Sequence, residues 1–329
     1  MPSDQQEERP VLILDAMNVF VRAYSVYPQM NTNGEQIGGA IGFLKIMQRL
    51  INEQQPSAVY VAWEGGGSAR RRKLYPEYKL KRTPEKLNRF YGDDIPDSDD
   101  NKKSQIVKLL GMLKCTPVCQ LYVSDAEGDD LVAYLCTGPL RDKQKVIASS
   151  DKDLYQLLND KTKIYSLHKK VYITEADVLE QFRVLAQNFG IAKSLCGDVG
   201  DNVPGIKGIG FKTVSKLYPF LGSDKNAVLQ DVIDYAASHR NSSRFHARVF
   251  DEQKDLKRNF KLVFLDGSML SPTQCSSVDH VMSTYQPKVD KMGILKLMAK
   301  EGVGDFDVER FFYVLNCISG VQYKTLKER

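Results

Sequence analysis

The sequence lacks the long apolar runs that a secretion signal or a membrane span requires. Residues 1–10 are polar and acidic, and no later stretch approaches the ~20 consecutive apolar residues that cross a bilayer. Cysteines are also few, six in 329 residues, and no Cys-x-x-Cys pair occurs. These absences argue against a zinc module and a disulfide scaffold, and they predict a protein that works in the cytoplasm and away from membranes.

A nucleotide-binding loop is absent as well, although the glycine-rich residues 205–213 resemble one at first sight. A Walker loop places Gly directly before Lys-Thr, whereas Phe211 separates Gly210 from Lys212, and the dinucleotide fingerprint spaces its glycines differently. A Pro-Gly-x-x-Gly-x-Gly turn between two helices fits a helix-hairpin-helix motif, whose backbone N–H groups bind a phosphate. The residues predicted to bind nucleic acid here are Gly205, Lys207, Gly208, Gly210, Lys212 and Thr213.

Four short apolar runs each stop at, or shortly before, an acidic residue. Their continuous β-branched character is typical of buried parallel strands, whose carboxyl ends form the ligand-binding edge of an open α/β sheet. The runs are residues 11–14, 59–63, 118–123 and 146–148. With the acids that follow them, nine carboxylates are predicted to meet at one edge: Asp15, Glu64, Glu127, Asp129, Asp130, Asp151, Asp153, Asp198 and Asp201.

Carboxylates held this close raise one another's pKa unless cations neutralise them, and oxygen ligands suit Mg²⁺ or Mn²⁺ better than zinc. The formal net charge is +5, with lysines and arginines clustered at residues 70–82 and 207–216. A metal-dependent enzyme that acts on a polyanion requires such separate acidic and basic zones. Net charge alone, however, indicates no more than a solvated surface.

A basic and aromatic stretch, residues 69–82, begins shortly after Glu64 and therefore leaves the sheet at the acidic edge. Tyrosine rings stack on unpaired bases and arginines bind phosphates, so the stretch is typical of proteins that bind single strands, although a solvated charged helix looks similar. The contacts predicted in this stretch are Arg70, Arg71, Arg72 and Tyr75.

The expected fold is α/β, with a mainly parallel central sheet flanked by helices, a long polar excursion at about 66–103, and a C-terminal helical region. Helical patterns occur at 34–50, 105–114 and 127–135, a strand hairpin at 163–173, and mostly helices after 174. The expected domains are a catalytic core, 1–190, and a helical DNA-binding region, 191–329, with the hairpin motif at about 197–217.

The chain resembles the 5′ nucleases, which include flap endonucleases, the 5′-nuclease domain of bacterial DNA polymerase I and phage ribonuclease H. The matching strings are LILDAMNVFVRAY (12–24), YPEYKLKR (75–82), AEGDDLVA (126–133), SSDKDLYQL (149–157) and GDVGDNVPGIKGIGFKT (197–213). They span about the first two thirds of the chain, and the overall form is most similar to phage ribonuclease H. The residues after about 222 carry no motif.

The resemblance implies a centre with two Mg²⁺ or Mn²⁺ ions, and a K⁺ ion at the hairpin. Asp15, Glu64, Glu127, Asp129 and Asp151 match acids around the first metal, and Asp130, Asp153, Asp198 and Asp201 match those of the second. The resemblance also implies that residues 66–103, approximately, form a helical arch, and Lys79 and Arg82 match the catalytic basic pair at the base of the family's arch. Many members have Asp where this chain has Glu64, which we expect to shift the first metal without abolishing its binding.

The implied activity is that of a structure-selective 5′-3′ exonuclease and flap endonuclease with ribonuclease H-type activity, leaving 5′-phosphate products. Its substrates would be DNA with 5′ flaps, nicks or ends and RNA/DNA hybrids, including RNA primers, during replication or repair. The expected protein is a monomer, in the host cytoplasm if it is viral, with a single-strand-binding protein or a sliding clamp as associates.

Three alternatives remain open, of which the simplest is a purely structural role for the nine carboxylates at the strand ends. A PIN-like ribonuclease shares the acidic sheet edge but usually lacks the hairpin motif and the long arch. A non-catalytic nucleic-acid clamp would keep the basic elements without requiring the full set of acids.

Overall fold

A six-stranded sheet forms the centre of the structure, a computed structural model that describes residues 9–80 and 99–320. The strand order is β3-β2-β1-β4-β5-β6; the first five strands are parallel, and β6 is antiparallel to β5. The strands are β1 (Val11–Asp15), β2 (Ala58–Trp63), β3 (Cys119–Tyr122), β4 (Lys145–Ala148), β5 (Thr162–Ser166) and β6 (Val171–Ile173). The predicted parallel sheet and the hairpin beside it are confirmed.

The apolar runs are continuous because both faces of the sheet are covered. On β1, Leu12 and Leu14 point into one hydrophobic core while Ile13 points into the other, and all three are fully buried. Alternate side chains of a strand face opposite sides, so a strand covered on both sides needs apolar residues throughout.

Helices occur throughout the described part of the chain, and only some of them cover the sheet. In chain order they are α1 (Ala16–Val26), α2 (Gly38–Gln54), α3 (Ala69–Leu74), α4 (Asp99–Leu113), α5 (Gly128–Thr137), α6 (Glu175–Phe182), α7 (Phe189–Cys196), α8 (Phe211–Leu217), α9 (Leu229–Ser238), α10 (Arg244–Asp251), α11 (Gln253–Val263), α12 (Pro272–Thr284), α13 (Lys291–Lys300) and α14 (Val308–Leu315). Two-residue strands β7 (Gly197–Asp198) and β8 (Val203–Pro204) pair between α7 and α8.

Helices α13 and α14 return to the sheet from the C-terminal part of the chain. Ile294, Phe311 and Phe312 are buried in the same core as Leu12, together with α1 and α2. Residues of α7 to α11 form a separate core around Tyr218. The domain boundary at residue 190 stays a prediction. Helices α13 and α14, which follow this boundary in the sequence, pack with elements that precede it.

The predicted helix at 34–50 begins later than expected, at Gly38. Residues 30–36 instead form a turn closed by a bridge between Met30 and Gln36, and Gly34 has a left-handed backbone with φ of 79°. A glycine adopts this conformation without strain, so it favours a turn rather than a helix start. Among the residues that the structure describes, every helix is too short or too polar to span a bilayer.

Candidate active site

A cavity of about 550 Å³ opens at the carboxyl ends of the parallel strands. Strands β2 and β3 lie on one side of β1, and the next strand in the chain, β4, lies on its other side. Ligands of α/β sheets bind where the strand order reverses in this way. Asn18, Arg22, Lys79 and His168 line the cavity beside a set of acids. Seven of the nine predicted carboxylates line it: Asp15, Glu64, Asp129, Asp151, Asp153, Asp198 and Asp201.

Asp15 lies at the centre of this edge, since it ends β1 and caps the N-terminus of α1. Its Oδ1 accepts a hydrogen bond from the backbone N–H of Asn18 at 3.2 Å, and its Oδ2 accepts one from the Ser149 hydroxyl at 2.8 Å. These bonds favour the carboxylate, but burial outweighs them and raises the pKa of Asp15 to about 6. Asp15 is therefore an anion that its surroundings do not fully compensate.

The pKa values of Asp129 and Asp151 are raised as well. Burial, followed by repulsion from Glu127 and Asp130, raises the pKa of Asp129 to about 8. Burial also raises the pKa of Asp151, despite the nearby Lys193 ammonium. With Asp15 and Glu64 they form what we call the first acid group.

The second acid group consists of Asp153, Asp198 and Asp201, whose carboxylate oxygens lie within 4.8 Å of one another. The β7–β8 hairpin presents Asp198 and Asp201, and the backbone N–H of Asp201 donates to Asp198 at 3.2 Å. The Lys193 ammonium, from α7, contacts Asp153 and lies 2.6 Å from Asp198. Burial opposes ionisation of Asp198, yet Lys193 holds its pKa below the ordinary value.

The remaining two predicted metal ligands, Glu127 and Asp130, do not line the cavity. Asp130 is 3% exposed, and both of its oxygens accept from the Arg71 guanidinium, at 2.6 and 2.7 Å. Glu127 is 1% exposed, and its carboxylate contacts side chains of residues 68–79, which we call the arch base. The structure thus places these two acids beneath the arch base, where Arg71 and Lys79 neutralise them.

The same ion pair holds Arg71 away from the surface position expected of a nucleic-acid contact. Arg71 is 2% exposed and cannot contact a nucleic acid in this arrangement. Residues Ala69–Leu74 of the basic stretch form α3, a short helix that turns Arg71 inward while Arg70 and Arg72 remain exposed. Tyr75 is partly exposed, and the Arg258 guanidinium lies 4.7 Å from the centre of its ring. Arg82 and residues 81–98 of the arch lie outside the described residues.

Lys79 lines the cavity between Glu127, a neighbour of Asp129 in the first acid group, and Asp201 of the second acid group. Its backbone is left-handed, with φ of 59°, and its N–H donates to the Asp201 carbonyl at 2.9 Å. Its ammonium is 2.8 Å from Glu127 and 3.8 Å from Asp201. This side chain therefore reaches the cavity where the acids of α5 approach those of the β7–β8 hairpin.

The predicted hairpin motif lies on an exposed turn between β8 and α8. Buried Ile206 and Ile209 anchor the turn. A side chain at Gly205 would collide with the Cys196 carbonyl, since its Cβ would lie 2.0 Å from that oxygen, and Gly208 has φ of 84°. The exposed members of the predicted set are Lys207, Gly208, Gly210 and Lys212, while Gly205 and Thr213 are partly exposed.

Sequence reasoning missed Lys193 and Tyr78. The Tyr78 hydroxyl lies 3.1 Å from Glu127 and 2.9 Å from Asp201, so it joins α5 to the β7–β8 hairpin. Lys193 had a usable signal, because it is the one charged residue of α7 and lies five residues before Asp198. A buried ammonium requires polar partners, and the nearby acids of residues 197–201 are candidates for that role.

The chain is similar to known nucleases in both sequence and fold. The family model for the 5′-3′ exonuclease N-terminal resolvase-like domain matches residues 10–183. The 5′-3′ exonuclease of Aquifex aeolicus is 29% identical over 78% of this chain and 82% of its own length. Thermostable DNA polymerase I of Thermus aquaticus is 32% identical over 65% of this chain, which spans only 24% of that larger protein.

Solved structures share the whole fold at lower identity. A bacteriophage T5 flap endonuclease complex with DNA and metal ions has a TM-score of 0.63 and 20% identity, and the match covers 93% of this chain and 99% of that one. Flap endonuclease-1 from Methanococcus jannaschii has a TM-score of 0.53 and 17% identity over 94% of this chain and 91% of that one. These likenesses confirm the predicted fold class.

Proposed function

The chain belongs to the 5′-3′ exonuclease family and is a phosphodiester hydrolase, and we propose that it is a divalent-metal-dependent, structure-selective nuclease that cuts DNA at 5′ flaps, nicks and ends. The main support is the cavity of seven carboxylates at the carboxyl edge of the sheet, with Lys79 beside them. The family match does not favour the two functional alternatives, a PIN-like ribonuclease and a non-catalytic clamp.

The two acid groups fit two hard divalent ions. Their donors are carboxylate oxygens, and burial raises the pKa of Asp15 and Asp129, so bound cations would relieve uncompensated charge. In this proposal the first acid group holds one ion and the second acid group holds the other. Bound Mg²⁺ or Mn²⁺ ions would supply an activated water and stabilise the leaving oxygen.

The protein's own side chains would position the scissile phosphate. The Lys79 ammonium, at the boundary of the two acid groups, would stabilise negative charge on the phosphoryl oxygens in the transition state. Arg82 is its proposed partner. The exposed Arg70 and Arg72, with Tyr75, would contact the single strand that passes the arch.

The exposed glycine turn would hold the duplex through its phosphates. Its backbone N–H groups and the cations Lys207 and Lys212 contact any sequence equally, which gives selectivity for structure rather than for bases. A K⁺ ion at this turn and activity on RNA/DNA hybrids belong to the same proposal. So do primer removal, 5′-phosphate products, a monomeric state, and association with a single-strand-binding protein or a sliding clamp.

The test is cleavage of labelled 5′-flap, nicked and RNA-primed duplexes with Mg²⁺ and with a chelator. We expect short, ligatable 5′-phosphate products in Mg²⁺ and none with the chelator. Asp15→Asn is the matched inactive control, because it keeps the shape of the side chain while removing the charge. Binding of these duplexes without cleavage would favour the non-catalytic clamp, and cleavage of single-stranded RNA alone would indicate the PIN-like ribonuclease.

A further inference from the structure

Arg71 is the buried centre of an ion network beneath the base of the arch. Its guanidinium donates to both oxygens of Asp130 at 2.6 and 2.7 Å, lies 3.3 Å from Glu127, and donates through Nε to the Leu262 carbonyl at 2.8 Å. Burial disfavours the charged guanidinium, but these acids raise the pKa of Arg71 and keep it charged. Each of these contacts points toward the protein interior.

Glu127 connects this network to Lys79. Besides Arg71, the Glu127 carboxylate contacts the hydroxyls of Ser68 and Tyr78 and the Lys79 ammonium. Donors from residues 68–79 thus meet on one carboxylate that is almost fully buried. Whatever fixes Glu127 also fixes where the Lys79 ammonium lies.

Arg71 has the geometry to fix Glu127. Its planar fork engages Asp130, which also accepts from the Glu127 backbone N–H at 3.4 Å in the capping box of α5. The Leu262 carbonyl fixes the third side of the guanidinium on α11. A lysine could neutralise one carboxylate here, but it could not bond to both Asp130 oxygens and this carbonyl in one plane.

We propose that Arg71 is a positioning residue, which acts on the reaction by holding Glu127 so that the Lys79 ammonium stays at the edge of the cavity. This inference rests on the proposed nuclease function. Without the guanidinium, Glu127 and Asp130 would be two neighbouring buried carboxylates, and they would draw the Lys79 ammonium away from the cavity. Arg71 then influences the rate of cleavage without touching the substrate.

A double-mutant cycle tests this inference. Single-turnover cleavage of a 5′ flap in Mg²⁺ is measured for wild type, Arg71→Lys, Lys79→Ala and the double variant. We expect Arg71→Lys to lower the rate about 10- to 100-fold with unchanged duplex affinity. The double variant should be no slower than Lys79→Ala alone, because Arg71 acts through Lys79. The exposed pair of Arg240 with Asp251 supplies the control Arg240→Lys, which should cleave normally.

Two outcomes would overturn the inference. If the losses multiply in the double variant, Arg71 does not act through Lys79. If Arg71→Lys weakens duplex binding and leaves the rate unchanged, Arg71 is a nucleic-acid contact after all. Where thermal unfolding shows that Arg71→Lys is unfolded, the pair Arg71→Gln with Asp130→Asn keeps hydrogen bonding without charge and enters the same cycle.

A second measurement needs no nuclease activity and so separates this inference from the proposed function. Acetic anhydride labelling with mass spectrometry reads the accessibility of the Lys79 amine relative to that of exposed Lys212. We expect Arg71→Lys to slow labelling of Lys79 several-fold while Lys212 is unaffected. An unchanged labelling ratio would show that Arg71 does not set the position of Lys79.

Discussion

The two acid groups share one cavity but differ in how their negative charge is compensated. In the first acid group, burial raises the pKa of Asp15 to about 6 and that of Asp129 to about 8. In the second acid group, the Lys193 ammonium contacts Asp153 and Asp198 and lowers the pKa of Asp198. The first acid group thus takes its neutralising charge from protons or added cations, whereas the second acid group already has a cation, the Lys193 ammonium.

This difference predicts how the groups respond to metal. A cation that enters the first acid group displaces protons, so its binding should depend strongly on pH. A cation that enters the second acid group competes with the ammonium of Lys193, so its affinity should depend on how firmly α7 holds that side chain. Four predictions, from the largest expected effect to the smallest, test this comparison.

Matched amide variants of one acid from each group should separate activity from stability. We expect Asp15→Asn and Asp198→Asn each to lower cleavage in Mg²⁺ about 1,000-fold, the upper range for loss of one electrostatic contact in a reacting site. In chelator, Asp15→Asn should raise the melting temperature, because it removes a poorly solvated charge. Asp198→Asn should lower it, because Lys193 loses a partner. Single-turnover cleavage and thermal unfolding measure both; equal stability shifts would contradict the comparison.

The metal-free protein should lose stability as the pH rises from about 4 to 8. The folded-state pKa of Asp15 is raised from 3.8 to about 6, so the folded protein binds more protons than the unfolded chain between these values. Stability is therefore full below pH 4 and falls as the pH passes through the folded pKa, by up to about 3 kcal/mol for Asp15. Asp129 extends the loss to about pH 8.

Urea unfolding across this pH range in chelator measures that loss, and adding Mg²⁺ should remove most of it. Asp15→Asn is the matched control, since it should flatten the curve between pH 4 and 6. A stability that rises steadily from pH 4 to 8 in chelator would show that the first acid group is already compensated.

Lys79→Ala tests whether the cation between the groups serves the reaction or only balances charge. We expect the single-turnover rate in Mg²⁺ to fall about 100-fold, because transition-state charge loses its ammonium, while duplex affinity changes less than about threefold. Lys207→Ala is the opposite control and should weaken duplex binding with little effect on the rate. Equal losses of rate and affinity in Lys79→Ala would assign it to substrate binding.

The sequence was sufficient to predict the sheet and the edge at which the acids meet. A parallel strand buried on both faces leaves a continuous apolar run such as residues 11–14, and the next residue must lie at the carboxyl edge. The predicted strands are confirmed for this reason, and helical periodicity accounts for the confirmed, mostly helical pattern after 174. Local pattern and chain order carry this information without any contact between distant residues.

The partners of individual charges could not be read in the same way. Asp129 and Asp130 are adjacent on α5, but one lines the cavity and the other is buried against Arg71. Which of three successive arginines turns inward depends on the Leu262 carbonyl, 191 residues away in the chain. Lys193 likewise meets Asp153 only after α7 has packed beside the short helical turn at residues 153–157, which follows β4. Tertiary packing decides these pairings.

Lys193→Met should have the smallest effect of the four. It would leave the second acid group, like the first, without an internal cation to compensate its charge. Methionine keeps much of the buried length of the side chain but removes the ammonium, so Asp153 and Asp198 become uncompensated. We expect the metal-free protein to lose about 2 kcal/mol of unfolding free energy, and the stabilisation gained on adding Mg²⁺ to increase because the ion no longer competes with an internal cation. Urea unfolding with Mg²⁺ and with chelator measures both quantities, and Lys216→Met, at an exposed position on α8, controls for the substitution itself. An unchanged gap between the two conditions would mean that Lys193 does not occupy the place of a metal ion, and the contrast between the two groups would then be one of burial alone.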